Sequence, residues 1–319
     1  MKETPKDPVS KRLVVPTEAG QRLDNYLFKH LKGVPKSYIY RIIRGGQVRI
    51  NGGRVKPSSR LADGDTVRIP PLRQASENSR EPSAAPDFKI STLFEDEHLL
   101  IVDKPSGCAV HSGSGHDYGL IEILRSRMTG YLELIHRLDK ETSGVLMLAK
   151  DPMALRQMHL LFSSRNKLKS IQKFYTALLV GEWRGGSRTL THSLETVRGT
   201  VGAKRSKVSS SGREAVSIFD PVKSLKGHTL VKVEIKTGRL HQVRVHAEQE
   251  GYPVAGDKLY GDKERNLDLR KLGLRRQFLH AESLLFDHPN SGAPMTIQSA
   301  LPDDLSSVLS KLEQKQNVQ

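Results

Sequence analysis

The chain has 319 residues, more than one domain usually holds, with 36% hydrophobic and 27% charged residues. That composition predicts a globular protein, and the formal net charge of +16 predicts a polyanionic partner, nucleic acid first. No apolar run approaches the roughly 20 residues of a membrane span, and no signal-peptide core is present, so we expect no membrane partner and a cytoplasmic location. We expect no disulfide, because the chain has a single cysteine, and no metal site, because no residues have metal-ligand spacing.

The positive charge is concentrated near the amino terminus. Residues 1–80 hold 17 Lys and Arg against 7 Asp and Glu, a net charge of +10, whereas the rest of the chain carries +6. This asymmetry predicts a small basic module attached to a larger, nearly balanced body. We predict a disordered segment over 1–17, the module over 18–70, a proline-rich linker over 71–89 and a second domain over 90–319.

Two short helices and a small sheet are predicted in the module. Apolar residues recur at helical spacing over 23–31, and isoleucines form one face of a second helix that Ser37 can cap and Gly45-Gly46 ends. Asn51-Gly52 predicts a hairpin turn, and a further strand follows at 66–69. The candidates for phosphate contacts are basic residues off the apolar faces, Lys36, Arg41, Arg44 and Arg49. An ordinary solvated basic face is the alternative.

The order of these elements resembles the S4 RNA-binding domain over about residues 20–70. The resemblance is carried by Gln21-Arg22-Leu23-Asp24, by Val48-Arg49-Ile50-Asn51-Gly52 and by Gly64-Asp65-Thr66-Val67. It implies that the module binds structured RNA.

The second domain alternates predicted strands with predicted helices. The strands are expected at 99–102, 173–181, 229–235 and 279–286, and the helices at 120–128, 152–162, from 240 onward and 302–315. Residues 184–213, rich in Gly, Ser, Arg and Lys, predict strands and loops, and their composition suits an RNA contact and a solvated loop equally.

The segment His136–Gly144 places an aspartate, Asp139, between Arg137 and Lys140, just before the apolar run 145–149. A buried strand fixes such a carboxylate while the loop exposes it. Taken alone, Asp139 is a salt-bridged loop residue.

Other catalytic sets are missing from the sequence. It has no G-x-S-x-G elbow, phosphate-binding loop or metal-ligand motif, so a carboxylate-centred, RNA-directed site remains. Tyr175 on a predicted strand can stack on a base or move a proton, and Arg239 and Arg244 lie where a turn leads into a helix. An ionised aspartate held by an arginine can act as a nucleophile or a base.

His136-Arg137-Leu138-Asp139-Lys140-Glu141-Thr142-Ser143-Gly144 resembles the HRLD-x-x-TSG signature of the RluA family of pseudouridine synthases. Three further segments follow the family's order: Asp103-Lys104-Pro105-Ser106-Gly107, Lys173-x-Tyr175-x-Ala177-Leu178, and Thr237-Gly238-Arg239-x-His241-Gln242-Val243-Arg244-Val245-His246. Leu240 departs from the pattern, where Thr or Ser is usual, and we expect it to be tolerated.

The resemblance implies an α+β fold, in which a domain with a bent, mixed and mostly antiparallel sheet follows the S4-like module along the chain. It also implies isomerisation of uridines to pseudouridine in 23S ribosomal RNA, free or in an assembling large subunit, without a cofactor. Asp139 would be the nucleophile or base, and Arg244 would keep it ionised. Tyr175 would stack on the uracil or take its C5 proton, and Arg137 would fill the gap that the uridine leaves.

The sequence supports some further expectations and leaves two alternative functions. We expect a monomer, and Arg239 is a further candidate for RNA contact. A non-catalytic S4-type ribosome-assembly factor is the alternative from another class, and a synthase acting on tRNA is the alternative within the enzyme class. His136 and Leu138 are expected to be structural.

Overall fold

A computed structural model describes residues 9–31, 34, 36–71, 88–111, 118–163, 171–198 and 204–317, without the side chains of Lys36, Ser37, Gln316 and Asn317. The chain divides into two units, 1–82 and 83–319. Their division falls within the predicted linker 71–89, of which residues 72–87 lie outside the described part.

The first unit is a small sheet with two helices. Its elements are β1 (Ser10–Leu13), a 3₁₀ turn (Pro16–Glu18), α1 (Leu23–His30), α2 (Lys36–Arg44), β2 (Arg49–Ile50), β3 (Gly53–Arg54) and β4 (Thr66–Ile69). The strands run antiparallel in the order β1-β4-β2-β3. One buried cluster joins the helices to the sheet and includes Leu23, Leu27, Ile39, Ile42 and Val67.

The predicted helices and hairpin of this unit are confirmed. Asn51 and Gly52 both have positive φ, 49° and 82°, as the tight turn between β2 and β3 requires. Helix α2 begins at Lys36, so Ser37 lies inside the first turn and the predicted cap is wrong.

The prediction of disorder over 1–17 is wrong for residues 10–13. These residues form β1, which pairs with β4 from Ser10↔Ile69 to Leu13↔Thr66. All four side chains are exposed, so the segment lacks the apolar alternation that reveals a strand in a sequence. Backbone hydrogen bonds to the edge of β4 make it a strand, and the buried Val14 follows it.

The second unit is built on a large sheet. Its strands are β5 (Ser91–Glu95), β6 (Leu99–Lys104), β7 (Glu133–Leu134), β8 (Ser143–Ala149), β9 (Gln172–Val180), β10 (Arg188–Arg198), β11 (Lys204–Val208), β12 (Arg213–Leu225), β13 (His228–Ile235), β14 (Leu279–Asp287) and β15 (Pro294–Gln298). Its helices are α3 (Leu120–Arg127), α4 (Pro152–Ser163), α5 (Gln242–Gln249), α6 (Lys263–Leu272) and α7 (Asp303–Asn317). No helix within the described ranges is long and apolar enough to cross a membrane.

The sheet has the order β11-β10-β12-β13-β9-β14-β8-β6-β5, with β15 beside β14 and β7 beside β8. Only β14 and β8 pair in parallel among the described strands, which confirms a mixed and mostly antiparallel sheet. The predicted strands and helices are all present within a few residues. Elements that the sequence did not predict are β5, β7, β12, α6 and β15.

The centre of this sheet positions the residues of the predicted site. Loop 135–142 leads into β8, which pairs with β14 through Ala281↔Gly144. On the other side of β14, Ala281 lies opposite Tyr175 of β9. Strands β8, β14 and β9 therefore bring the Asp139 loop and Tyr175, far apart in sequence, to one region of the sheet.

Candidate active site

The structure brings Asp139 and Arg244 together. Nη1 of Arg244, in α5, donates a hydrogen bond of 2.9 Å to Oδ2 of Asp139. The side chain of Arg244 is 8% exposed and that of Asp139 is 20% exposed, so the carboxylate faces a cleft while its partner is buried. The arrangement holds a partly accessible carboxylate in a fixed direction.

A second carboxylate, Asp257, holds the other edge of the same guanidinium. Nε and Nη2 of Arg244 donate to Asp257 Oδ2 and Oδ1 at 2.6 and 2.9 Å. No motif in the sequence marks Asp257, because the partner of a loop carboxylate is set by the fold. Only the tertiary structure shows that Asp257 is buried, with 1% of its surface exposed.

Burial and charge act in opposite directions on this pair. Burial opposes ionisation of Asp257, but the hydrogen bonds and charge of Arg244 hold the pKa of that carboxyl below its usual value. Burial likewise opposes the charge of Arg244, yet Asp257 and then Asp139 raise its pKa above the ordinary value. The guanidinium is therefore a permanent cation at the site.

Tyr175 is half-buried on β9 and lines a cleft together with Asp139. Burial first, and the charge of Asp139 second, raise the pKa of its phenol well above the usual value. Its hydroxyl is therefore protonated at neutral pH in the free protein.

A chain of hydrogen bonds runs from the neighbourhood of Asp139 to the edge strand β11. His241 Nε2 lies 3.8 Å from Asp139 Oδ2, and its Nδ1 lies 3.0 Å from the hydroxyl of Tyr260. That hydroxyl donates to the carbonyl of Ser206 and accepts from its N–H. His241 has a φ of 55°, a left-handed conformation that is costly outside glycine and often marks a functional site.

Lys104, at the end of β6, holds the backbone of the Asp139 loop. The fully buried Lys104 Nζ donates to the carbonyls of Pro105, Cys108 and Lys140 at 2.8–3.0 Å. Burial lowers its pKa to about 8. The Asp103–Gly107 motif thus has a structural purpose, which is to fasten two loops beside the carboxylate.

A second set of contacts fixes the Thr-Ser-Gly turn that follows Asp139. The side chain of Arg276 donates to Ser143 Oγ and to the carbonyl of Glu141, and Gln277 donates to Thr142 Oγ1. His280 Nδ1 also lies 3.0 Å from Ser143 Oγ. These partners come from β14 and the residues just before it, which the sequence motif alone does not reveal.

His136 and Leu138 have structural surroundings. The N–H of Met147 donates to His136 Nε2, and the imidazole stacks on Phe162 at 5.1 Å between centroids. Burial lowers the pKa of His136 to about 3, so the ring is neutral. Leu138 is 5% exposed.

The two remaining candidate arginines of the second unit, Arg137 and Arg239, differ in solvent exposure. Arg137 is exposed at the clefts beside Asp139. Arg239 is half-buried, and its Nε donates to the carbonyl of Glu214 at 3.0 Å.

The candidates in the first unit are exposed where their side chains are described. The guanidinium of Arg41 lies over the Tyr38 ring at 4.7 Å, and that of Arg44 over Tyr40 at 5.7 Å. Arg49 donates to the carbonyls of Gly46 and Gly52. The side chain of Lys36 lies outside the described part of the chain.

Two clefts meet at the carboxylate–arginine pair. The larger cleft, about 520 Å³, includes Tyr175, and the smaller cleft, about 350 Å³, includes Lys258. Both are lined by Arg137, Leu138, Asp139, His241 and Arg244.

Profiles of known families identify the class to which this fold and site belong. An RNA pseudouridylate synthase profile matches residues 98–249, which include Asp139, Tyr175 and Arg244, and an S4 domain profile matches residues 21–67. The solved structure of human RNA pseudouridylate synthase domain containing 4 is similar, with a TM-score of 0.55 and 26% identity over 70% of this chain and 93% of that one. The second unit is thus a pseudouridine synthase domain, of the class that isomerises uridine in RNA.

Two relatives resemble the chain over nearly its full length. The ribosomal large subunit pseudouridine synthase C of Yersinia pestis is 46% identical, over 94% of this chain and 95% of the relative. The protein of the same name from Haemophilus influenzae is 43% identical, over 93% of each chain. The chain belongs to the RluA family of pseudouridine synthases.

Proposed function

We propose that this chain isomerises uridines of 23S ribosomal RNA to pseudouridine, with Asp139 as the catalytic carboxylate. The observation that carries the proposal is the ion pair of Asp139 with a buried arginine, next to Tyr175 in one cleft. The names of the two bacterial relatives support the large ribosomal subunit as the source of the substrate.

The reaction exchanges one bond of the ribose for another. The bond between C1′ and N1 breaks, the freed uracil turns, and C1′ joins to C5. C5 loses a proton and N1 gains one, so the product has the composition of the substrate and needs no oxidant or cofactor. Asp139 acts as the nucleophile or base at the ribose, and the hydrogen bond from Arg244 holds its carboxylate in a fixed direction.

We assign Tyr175 the role of stacking on the uracil of the bound RNA. Burial and the charge of Asp139 raise the pKa of its phenol, so removal of the hydroxyl proton is unfavourable at neutral pH. The ring can still cover the face of a uracil that has left its helix. In this assignment the C5 proton goes to another acceptor at the site.

RNA binding is divided between the two units in this proposal. Exposed Arg137 enters the helix where the uridine left, because extrusion of a base leaves a gap that a side chain must fill. Arg239 supports the turn that leads into α5 and contacts the RNA from there. The basic residues of the S4 domain, Lys36, Arg41, Arg44 and Arg49, bind phosphates of 23S RNA or of an assembling large subunit.

The replacement Asp139→Asn tests the proposal. Because Asn has nearly the same shape but no charge, we expect loss of product by at least about 1000-fold with the dissociation constant for RNA changed less than about threefold. Carbodiimide-dependent primer-extension stops on 23S transcripts report the product. The exposed Asp220→Asn serves as the matched control and should retain activity.

Stops of wild-type strength with Asp139→Asn would remove Asp139 from the reaction. Mapping pseudouridine in both rRNA and tRNA of a deletion strain distinguishes the substrates. If pseudouridines were lost only from tRNA, the substrate would be tRNA and not 23S RNA. Rescue of ribosome assembly by residues 1–82 alone would favour an assembly factor.

A further inference from the structure

The smaller cleft has no assigned occupant when the uridine lies in the larger one with Tyr175. The two clefts share the Asp139–Arg244 pair, so an occupant of the smaller cleft lies next to the reacting nucleotide. An RNA strand that delivers a uridine to Asp139 continues on both sides of it. One neighbouring nucleotide must therefore leave the site close to this cleft.

The smaller cleft has the size and lining of a site for an unstacked base. Its volume of about 350 Å³ is within the range of small-molecule pockets, roughly 300–1,000 Å³. Leu259 lines it and is 46% exposed, an unusual exposure for a leucine on the wall of a cleft. Val110 and Leu138 add apolar surface. Apolar side chains of this kind cover the faces of bases that have left a stack.

The charges around the cleft fit a phosphate. Lys140 and Lys258 are both exposed on its lining, and neither forms an ion pair with another residue that the structure describes. The lining also holds two carboxylates, Asp139, which pairs with Arg244, and Glu141. The cationic residues of the lining outnumber them and are Arg137, Lys140, Arg244, Lys258 and Arg276. Cations next to an apolar wall suit a nucleotide, because the cations can bind its phosphate and the wall can cover its base.

The wall that carries Lys258 and Leu259 is rigid and is joined to the catalytic pair. Asp257 Oδ1 accepts from the N–H groups of Leu259 and Tyr260, while the same carboxylate binds Arg244. The side chain of Asn266 in α6 accepts from Gly256 N–H and donates to the carbonyl of Asp257. A wall held in this way loses little conformational entropy when a ligand binds.

We propose that the smaller cleft binds the unpaired nucleotide next to the target uridine, with its base against Leu259 and its phosphate between Lys140 and Lys258. This inference rests on the proposed function. It adds a second nucleotide site to the reaction site and makes the identity of the neighbouring base a determinant of which uridines are chosen.

A cycle of protein and RNA changes tests the contact. The RNA is a short 23S fragment that the full-length protein converts, with the base on the 5′ or the 3′ side of the target uridine removed in separate substrates. Leu259→Ala is compared with Leu267→Ala, which changes a somewhat more exposed leucine of α6 outside both clefts. KM, kcat and the dissociation constant are measured for every combination.

We expect Leu259→Ala to raise KM about tenfold on intact RNA, with kcat changed less than about threefold. On one of the two abasic RNAs the same substitution should raise KM less than about twofold, because the base that Leu259 contacts has already been removed. Leu267→Ala should have no effect on any substrate. Equal costs of Leu259→Ala on intact RNA and on both abasic RNAs would overturn the proposal.

The phosphate contact has its own arm in this experiment. Lys258→Gln should weaken binding of intact RNA but not of RNA whose neighbouring phosphate is replaced by an uncharged methylphosphonate. An equal loss on both RNAs would remove Lys258 from the site. If the wild-type protein converts no 23S fragment, the proposed function fails, and the cycle is then scored on dissociation constants for the fragment that binds most tightly.

Discussion

At the scale of single residues, one arginine serves two carboxylates. Arg244 gives Nε and Nη2 to Asp257 and leaves Nη1 for Asp139. Asp257 is buried, so of the two carboxylates only Asp139 faces the cleft. Because Asp257 fixes the guanidinium without help from substrate, Arg244 is preorganised before RNA binds.

The replacement Asp257→Asn should therefore act on catalysis through Arg244. We expect kcat to fall about 100-fold, since the guanidinium loses its fixed direction, with the dissociation constant for RNA changed less than about threefold. The unfolding free energy should fall by about 3 kcal/mol, because a buried arginine loses a charged partner. Single-turnover kinetics and urea unfolding measure the two effects.

Asp262→Asn is the matched control for this experiment. Asp262 accepts from Arg265 N–H as the cap of α6, and Asn caps helices equally well. The control should keep both activity and stability. A stable Asp257→Asn protein with unchanged kcat would show that Asp257 does not position Arg244.

A buried histidine should make the protein sensitive to acid. Neither ring nitrogen of His246 has a hydrogen-bond partner among the residues that the structure describes, and burial, assisted by His192, lowers its pKa from 6.5 to about 4. Between pH 6.5 and 4 the unfolded chain takes up a proton that the folded protein excludes, so the unfolding free energy falls with pH. From pH 7.5 to 5 this contribution is about 2 kcal/mol.

Urea unfolding at the two pH values measures this contribution. The replacement His246→Leu should reduce the loss between pH 7.5 and 5 by about 2 kcal/mol relative to the wild-type protein. His159→Gln, at an exposed position of α4, should leave the loss unchanged. An unchanged loss in His246→Leu would mean that the acid sensitivity arises elsewhere.

At the scale of elements, the parallel contact of β8 with β14 sets the position of the Asp139 loop. Gly144 lies in this contact opposite Ala281 with a φ of 112°, and a Cβ there would lie 2.2 Å from the carbonyl oxygen of Ala281. A larger residue would separate the two strands. The glycine of the Thr-Ser-Gly turn is thus required by the close approach of two backbones.

Gly144→Ala should destabilise the second unit by more than about 3 kcal/mol, because both the φ angle and the space exclude a methyl group. The variant should also lose most activity, since the Asp139 loop shifts with β8. Gly186→Ala has no atom near the added methyl and no positive φ, so it should remain near wild type. Thermal unfolding and pseudouridine formation report the two effects, and a stable Gly144→Ala protein would contradict the packing argument.

At the scale of the whole molecule, the net charge of +16 is divided unequally between the units. We expect this charge to set affinity more than specificity, because contacts with phosphates release counterions whatever the sequence. Joint replacement of Arg41, Arg44 and Arg49 by Gln should weaken binding of 23S RNA and lower the slope of log K against log salt by about 2.

A variant with the same loss of charge on α6 is the control, with Lys263, Arg270 and Lys271 replaced by Gln. Filter binding over a range of salt concentrations should show a smaller change in slope for this control. Equal changes in both variants would mean that net charge, and not the S4 surface, governs the affinity.

Local patterns in the sequence were sufficient for much of this molecule. Apolar periodicity predicted α1, α2 and the central strands, and Asn51-Gly52 predicted its hairpin, because those features depend on near neighbours in the chain. The ordered motifs around Asp139, Tyr175 and Arg244 resembled one enzyme family, which the comparisons confirmed. The roles of these residues in catalysis and RNA binding stay predictions until the variants are measured.

Tertiary structure alone decided the rest, because each missed feature is a contact between segments distant in sequence. Strand β1 exists through its pairing with β4, and β12 and α6 had no pattern of their own strong enough to be recognised. Asp257 is an ordinary loop carboxylate until the fold buries it against Arg244, and Lys104 is an ordinary lysine until three carbonyls surround it. The sequence by itself determined which groups are present and the family to which they belong. Their burial and their partners, which give them their chemistry, were decided by the packing of the sheet.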